Sequence, residues 1–214
     1  MTQDHARTVA ALLERYGTTY AEEAGITLKD TPSPLFRLLV LSNLLSAQIS
    51  AAIAVATARA LSSAGMRTAD AIAGATWQQR VDVLGEGGYR RYDERTSTML
   101  GDCADLVRDR WKGDLRRLRD EGADVDGVRA LLEEMPGIGP TGSAIFCREV
   151  QGVWPALAPF VDDRVAEGAR AVGLPTGPDE LAALVDPADL PRLASACVRV
   201  TLTDGAAEEV LQGA

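Results

Sequence analysis

Apolar residues recur every three or four positions along most of this chain, which is the spacing of one face of an α-helix. The stripe over residues 4–24 consists of Val9, Leu12, Leu13, Tyr16 and Tyr20 and predicts an amphipathic helix. The segment from Leu35 to about Leu45 is apolar nearly all round, which predicts a central, buried helix. An alternating strand pattern of useful length is missing, so the chain is predicted to be all-α.

Polar breaks and capping residues divide the rest of the chain into further helices. Ser46–Ser50 interrupts the apolar pattern, and a helix of small residues is predicted from Ala51 to Leu61. The remaining helices are predicted at 68–73, 77–84, 89–110, 114–121, from 126 to the Pro-Gly sequence at 136–137, 141–150, 162–172, 178–185 and 187–200. Scarce aromatic residues and abundant alanine favour close-packed helices over sandwiches or barrels of strands.

Composition restricts the partners and cofactors of this helical chain. Its 214 residues include 46% apolar but only 5% aromatic residues, and its formal net charge is −9. An acidic chain disfavours a polyanionic partner, so any nucleic-acid binding has to rest on local geometry and local arginines. Cys103, Cys147 and Cys197 are too dispersed for a zinc site or an iron–sulfur cluster, and buried small hydrophobes are the expectation for them.

The start of the sequence and the length of its apolar runs indicate the expected cellular location of the protein. The first residues include Asp4, His5 and Arg7 and lack the apolar core of a signal peptide. No apolar run approaches membrane-spanning length. A cytoplasmic protein that does not associate with membranes is the expectation.

The segment Met135–Pro140 has the composition of a tight turn that can bind an anion. Gly137 and Gly139 permit positive φ angles and a close backbone approach, and the amides at the start of the next helix can donate to a phosphate. Ile138 is expected to anchor the turn in the core. A plain helix connection with a C-capping glycine is the alternative, and the flanking Leu131-Leu132 and Ala144-Ile145 favour the phosphate-binding interpretation.

Four segments, in order and at matching spacing over about residues 30–175, resemble the endonuclease III superfamily of helix-hairpin-helix DNA glycosylases. They are Leu44-Leu45-Ser46-Ala47-Gln48, Gly88-Tyr89 with the following helix, the turn at 135–140, and Val161-Asp162-Asp163-Arg164-Val165 running to Gly173-Leu174. The resemblance implies two helical lobes with a cleft between them. A helical barrel would span residues 32–151, with the hairpin at about 128–150, and residues 1–31 plus 152–214 would form the second domain.

The resemblance also implies site residues. Asp162 aligns with the catalytic aspartate of the family, whose carboxylate supports cleavage of the N-glycosidic bond. The helix N-cap is a second interpretation of Asp162, compatible with the first, and Asp163 is the less favoured alternative. Gln48 matches the residue that fills the gap left by an extruded base. The segments that would contact the DNA backbone contain Gly137, Ile138, Gly139, Thr141, Arg90 and Arg91.

One departure from the family narrows the expected activity. Members that cut the strand carry a lysine nucleophile where this chain has Thr141, which predicts a monofunctional glycosylase without lyase activity. The expected partner is double-stranded DNA, and the expected oligomeric state is a monomer. The family further implies a monovalent cation at the backbone carbonyls of Glu133, Met135 and Ile138, and the resemblance is to members without an iron–sulfur cluster. A non-catalytic DNA-binding or interaction module that retains the fold is the alternative.

Overall fold

The computed structural model describes residues 3–213, and the regular structure of this part of the chain is helical, without a strand. The all-α prediction is confirmed. The α-helices are α1 Gln3–Tyr16, α2 Tyr20–Glu23, α3 Pro32–Leu45, α4 Ala51–Ser63, α5 Ala69–Gly74, α6 Trp77–Glu86, α7 Asp93–Trp111, α8 Leu115–Gly122, α9 Val125–Glu133, α10 Pro140–Val150, α11 Asp163–Ala171, α12 Pro178–Ala182, α13 Leu190–Leu202 and α14 Ala206–Gly213. Short 3₁₀ helices occur at Pro155–Leu157 and Pro187–Asp189.

The single helix predicted over residues 4–24 is wrong, because α1 ends at Tyr16 and the chain bends before α2. The carbonyls that are released at the bend are bound by side chains of α13. Arg192 Nε donates to the Gly17 carbonyl at 3.2 Å, and Ser195 Oγ donates to the Thr18 carbonyl at 3.5 Å. These tertiary hydrogen bonds replace the helical ones, and the apolar periodicity of the segment does not reveal them.

The helix predicted from residue 89 begins four residues later, at Asp93. Gly88 has a φ of 89°, a left-handed conformation that ends α6. Tyr89 is only 2% exposed, and the Thr96 hydroxyl donates to its hydroxyl oxygen at 3.2 Å. Residues 88–92 therefore form a loop, called the arginine loop below because it contains Arg90 and Arg91.

The chain forms two compact units, one spanning Ala21–Cys147 and the other formed by residues up to Tyr20 and from Arg148 onward. In the Ala21–Cys147 unit, α3 packs against α4 and α8, and α7 packs against α5, α6 and α8. Nine residues of α3 are buried, as the apolar pattern of this segment predicts. The buried Arg80 guanidinium donates to the carbonyls of Ile72, Ala75 and Ser97 and thereby ties α5, α6 and α7 together.

The other unit is organised around α13, which packs against α1, α11 and α14. The backbones of α11 and α13 approach closely at Gly168, where an added Cβ would lie 1.9 Å from the Cys197 carbonyl oxygen. Cys103, Cys147 and Cys197 are all buried, as the sequence predicts. Within residues 3–213, no helix is both long and apolar enough to cross a membrane.

Candidate functional site

A short turn at residues 134–139 joins helices α9 and α10. The two helices and the turn form a helix-hairpin-helix. The Asp124 carboxylate caps α9 by accepting a hydrogen bond from the Gly127 amide at 2.8 Å. In the turn, the Ile138 amide donates to the Met135 carbonyl at 3.0 Å, and Gly137 has a φ of 84°. Ile138 is 4% exposed and anchors the turn in the core, as the sequence predicts.

Gly137 is constrained by its neighbour as well as by its φ angle. A Cβ at this position would lie 2.2 Å from Nδ2 of Asn43, on the last turn of α3. Asn43 Nδ2 also donates to the Pro136 carbonyl at 3.4 Å. Only a glycine allows the hairpin backbone to lie this close to α3.

Some backbone N–H groups of the turn are available to a ligand, and others are not. The Ile138 amide is used inside the turn, and Pro140 has no N–H. The amides of Gly139 and Thr141 donate to no other residue in the described part of the chain. Both lie at the N-terminus of α10, where the helix dipole favours an anion.

A polar bridge, buried only at Ser143, joins the two hairpin helices. Ser143 is fully buried, and its hydroxyl donates to Glu133 Oε1 at 2.6 Å. Arg129 Nε donates to the Ser143 Oγ at 3.3 Å, and Arg129 forms an ion pair with Glu133 at 3.5 Å. This bridge fixes the angle between α9 and α10 and so the direction of the exposed amides.

The carbonyls assigned to a cation by the family resemblance lie at the end of α9 and in the turn. The Met135 oxygen already accepts the Ile138 amide, which leaves one lone pair for a metal ion. Glu133 is the last residue of α9, and Ile138 lies two residues before α10. Three carbonyl oxygens are ligands of the type that hard cations prefer.

Gln48 is exposed in the segment between α3 and α4 and lies at a pocket of about 350 Å³ in the Ala21–Cys147 unit. Gly137 lines the same pocket, so the structure brings these two predicted residues together. Asn43, Tyr89, Tyr92, Arg95 and Met99 also line it. Sequence reasoning missed Asn43, although a single amide within the apolar run of α3 is a visible signal.

The two arginines predicted to contact DNA lie in the arginine loop and are exposed. Neither forms an ion pair with a carboxylate in the described residues, and the Arg91 guanidinium lies 5.1 Å from the ring centre of Tyr92. In contrast, Arg116 pairs with Asp114 and Arg119 pairs with Asp30 and Asp120. The arginine loop therefore carries positive charge that acidic side chains of this region do not neutralise.

Asp162 is the N-cap of α11. Its Oδ1 accepts a hydrogen bond from the Val165 amide at 3.2 Å, which confirms the capping interpretation. Its Oδ2 lies 3.5 Å from Nη1 of Arg148, with the two side chains 20% and 9% exposed. Asp163 is exposed at the first position of the helix.

Arg148 brings a buried positive charge to Asp162, and sequence reasoning missed it. Burial lowers the pKa of Arg148, and the Asp162 carboxylate is the largest influence in the opposite direction. Nη1 of Arg148 is buried and has no hydrogen-bond partner. An uncompensated buried charge is costly, so the neighbouring Asp162 carboxylate stabilises the buried guanidinium of Arg148. A charged residue in the apolar segment that becomes α10 was the available signal.

A second residue that sequence reasoning missed holds the backbone segment that precedes Asp162. Gln151 is 3% exposed, and its side-chain amide forms hydrogen bonds with both backbone groups of Phe160. The Phe160 amide donates to Gln151 Oε1 at 2.9 Å, and Gln151 Nε2 donates to the Phe160 carbonyl at 3.3 Å. The segment before Asp162 is thereby tied to the end of α10.

Comparison with known proteins identifies the fold. No protein-family profile and no curated protein matches the chain. A non-covalent endonuclease III–DNA complex matches with a TM-score of 0.54 at 14% identity, over 92% of this chain and 85% of that one. A trapped endonuclease III–DNA covalent intermediate, the estranged-adenine complex, matches with a TM-score of 0.50 at 16% identity and the same coverage. The resemblance to endonuclease III is thus confirmed at the level of the fold.

Proposed function

We propose that this protein is a monofunctional DNA glycosylase that removes a damaged or mismatched base from double-stranded DNA. The observation that carries the proposal is the carboxylate of Asp162, held at the start of α11 beside the buried Arg148 in a protein with the endonuclease III fold. The two solved structures compared above are complexes with DNA.

The hairpin supports DNA binding by its backbone. Gly139 and Thr141 direct amides toward a phosphate oxygen, and the N-terminal dipole of α10 adds to the attraction. Pro140 removes one donor, so the contact is weaker than with three consecutive amides. Arg90 and Arg91 supply side-chain charge to the backbone, and Gln48 fills the stack from which the base has left.

Asp162 supports the chemical step. Cleavage breaks the bond between C1′ of the sugar and the base nitrogen, and the electron pair of that bond leaves with the base. The carboxylate stabilises the positive charge that develops on the sugar. Water then attacks C1′ and gives up a proton to Asp162, which leaves an abasic site. Arg148 is a positioning residue, because it acts on the carboxylate and not on the sugar.

The lysines of the chain do not suit a lyase reaction. Thr141 occupies the hairpin position of the nucleophile, Lys29 precedes α3, and the Lys112 amine donates to the Asp109 carbonyl at the end of α7. The strand is therefore expected to stay intact after base removal. A monovalent cation at the carbonyls of Glu133, Met135 and Ile138 would supply further positive charge near the phosphate, and we expect the protein to act as a monomer.

An excision assay tests this function. Duplexes that carry uracil, thymine glycol, an 8-oxoguanine mismatch or an alkylated purine are incubated with the wild-type protein and with Asp162→Asn. We expect strand breaks for at least one substrate only after alkali treatment, and no covalent adduct with borohydride. Excision no higher than that of Asp162→Asn on every substrate would contradict the proposal, and a borohydride-trapped adduct would contradict its monofunctional form.

A non-catalytic DNA-binding module is the second candidate, and the net charge of −9 together with Pro140 favours it. Such a module would bind duplex DNA weakly, with a shallow dependence on salt, and would excise nothing. The excision assay therefore separates the two candidates.

A further inference from the structure

Two arginines of the Ala21–Cys147 unit meet at one residue, Ser62, in the last turn of α4. Arg37 Nε donates to the Ser62 hydroxyl oxygen at 2.9 Å, and Arg67 Nε donates to the Ser62 carbonyl at 2.6 Å. Ser62 is buried, so both guanidinium groups are anchored to a fixed point of the fold. The proposed glycosylase reaction does not use this pair.

Further hydrogen bonds fix the positions of the two arginines. Nη2 of Arg37 donates to the Gly25 carbonyl at 3.0 Å, which ties α3 to the segment after α2. The Ser33 hydroxyl, near the start of α3, donates to the Arg67 carbonyl at 3.0 Å and so holds the Arg67 backbone. Side chains that are already held lose less rotamer entropy when a ligand binds.

No carboxylate of the described residues forms an ion pair with Arg37 or Arg67. The acidic residues nearest to them in the sequence, Asp30 and Asp70, form ion pairs with other arginines. Burial lowers the pKa of Arg37, and the positive charge of Arg67 acts in the same direction. Although the whole chain has a net charge of −9, its described carboxylates leave this pair of like charges uncompensated.

Both guanidinium groups keep donors that a ligand can use. Nη1 of Arg37 and both Nη atoms of Arg67 donate to no residue in the described part of the chain. Arg67 is exposed and Arg37 is half-buried, so these nitrogen atoms are accessible from solvent. The Nε atoms serve the fold, and the Nη atoms remain for an anion.

The charge of the pair matches a phosphate group with two negative charges. Guanidinium groups form paired N–H···O hydrogen bonds with phosphate and with carboxylate. A single carboxylate or a phosphodiester carries one negative charge and compensates only one arginine. A phosphate monoester carries about −1.5 to −2 at pH 7 and has three terminal oxygens, so it compensates both.

The two arginines lie at the far end of α4 from the predicted DNA contact at Gln48. Gln48 precedes the start of α4 at Ala51, whereas Ser62 lies in its last turn. At a rise of 1.5 Å per residue, the helix from Ala51 to Ser62 is about 17 Å long. The ligand of the two arginines is therefore expected to be separate from the DNA that Gln48 contacts.

We propose that Arg37 and Arg67 form a binding site for a dianionic phosphate group, supplied by inorganic phosphate or by a small phosphate monoester. The Nη groups of both arginines donate to the phosphate oxygens, while their Nε atoms keep the hydrogen bonds to Ser62. The bound phosphate relieves the repulsion between the guanidinium groups and stabilises the folded protein. The site does not depend on the proposed action on DNA.

Titration of the full protein with three ligands tests the site. Inorganic phosphate, glycerol phosphate and dimethyl phosphate are each added at about pH 7.5, and the Nε–H signals of Arg37 and Arg67 are followed by NMR. We expect saturable shifts with inorganic phosphate that are half complete at about 1 mM or less. Dimethyl phosphate carries a single charge and is expected to bind at least about tenfold more weakly.

The second ligand distinguishes the two sources of the phosphate group. Binding of glycerol phosphate as well as inorganic phosphate would identify a phosphate monoester as the ligand. Binding of inorganic phosphate alone would identify the free ion. Either result supports the site.

Three variants complete the experiment. Arg67→Gln is expected to weaken phosphate binding by about tenfold or more, and Arg67→Lys is expected to restore only part of it, because lysine lacks the planar fork of donors. Arg170→Gln is the matched control, since it removes the same charge from an exposed arginine of the other unit. Phosphate binding to this control is expected to equal that of the wild-type protein.

Three results would overturn the inference. If inorganic phosphate shifts neither arginine signal, the two arginines only cap the end of α4. If dimethyl phosphate binds as tightly as inorganic phosphate, the site does not select two negative charges. If Arg170→Gln weakens binding as much as Arg67→Gln, the effect is one of net charge. The comparison of ligands uses the wild-type protein and remains valid if a variant does not fold.

Discussion

At the scale of single residues, Gly137 and Gly139 serve different purposes within one turn. Gly137 combines a φ of 84° with the contact to Asn43, whereas a Cβ at Gly139 would meet no atom within 4 Å. The Pro-Gly sequence predicts a turn, but it does not predict which of the two glycines is sterically required. That distinction depends on Asn43, which is distant in the sequence.

Gly137→Ala is expected to destabilise the protein by about 1–3 kcal/mol, because alanine is strained at this φ and its Cβ overlaps the Asn43 side chain. Gly139→Ala is the matched control and should change the free energy of unfolding by no more than about 0.5 kcal/mol. Urea denaturation of both variants measures the difference. Equal effects of the two substitutions would show that the contact with Asn43 is unimportant.

The pair of Asp162 and Arg148 is the second residue-scale prediction. Asp162→Asn keeps a capping side chain but leaves the buried guanidinium uncompensated, and Arg148→Met leaves the carboxylate without its partner. Each single substitution is expected to destabilise the protein, and the double variant is expected to be more stable than the sum of the two effects predicts. A coupling free energy of about 0.5–3 kcal/mol is expected.

A double-mutant cycle by urea denaturation measures this coupling, and additive effects would contradict the pairing. The excision assay adds a readout that a purely structural role would not affect. If Arg148 positions the carboxylate, Arg148→Lys should restore part of the excision rate that Arg148→Met loses.

At the scale of elements, local capping explains where most helices begin. Thr76 and Gln79 form a complete capping box on α6, and Asp124 caps α9. Such signals lie within a few residues of the helix and are readable from the sequence. The bend after α1 was not readable, because side chains of the distant α13 bind its carbonyls. The late start of α7 follows from the left-handed Gly88 and the burial of Tyr89, which the apolar periodicity does not show.

The cap of α8 gives a prediction about pH. Asp114 accepts hydrogen bonds from the Arg116 side chain and backbone, and the Arg116 side chain is the largest cause that lowers the pKa of Asp114. A carboxyl whose pKa is lowered by folding stabilises the protein above its unfolded pKa of about 3.9, and this contribution is lost as the pH falls through the folded value. Asp114→Asn should therefore be less stable than wild type at pH 7.

Unfolding free energies of wild type and Asp114→Asn between pH 7 and pH 2 measure this dependence. The two curves should begin to converge below about pH 4 and should meet only once the pH is below the lowered pKa of folded Asp114. If the difference in unfolding free energy between the two proteins is the same from pH 7 to pH 2, the substitution acts by something other than the loss of the charge.

The arginine loop provides an element-scale prediction about DNA. Each phosphate contact contributes about 0.9 to the slope of log K against log salt concentration on duplex DNA. Arg90→Gln and Arg91→Gln are each expected to lower the magnitude of this slope by about that amount. Arg116→Gln is the control, because Arg116 is already paired with Asp114. A similar slope change in all three variants would contradict specific contacts by the loop.

At the scale of the whole molecule, all three cysteines are buried, and burial raises the pKa of Cys103 and Cys197 to about 12. Because the thiolate is the reactive form, a thiol reagent should label these two residues only after unfolding. Labelling of Cys103 or Cys197 in native protein, at a rate independent of added urea, would show that the surrounding core opens locally. Labelling therefore measures how strongly each unit is held together.

The sequence alone determined the helical class, the hairpin and the candidate aspartate. Helical periodicity, capping residues and the glycine turn are patterns of neighbouring residues, and four such patterns in order pointed to endonuclease III. The structure and its likeness to solved endonuclease III complexes confirm the fold, while the activity remains a proposal. Thr141 restricts the proposed activity to base removal without strand cleavage, because this position lacks the amine of a lysine nucleophile.

The surroundings of these residues depend on the tertiary structure. Arg148 beside Asp162, Asn43 beside Gly137, and Tyr89 buried in the wall of a pocket are contacts between segments that no local pattern connects. Their positions follow from the packing of whole helices, which is fixed by many weak contacts at once. For this reason, the sequence indicated where the chemistry lies, and the fold decided which side chains would control it.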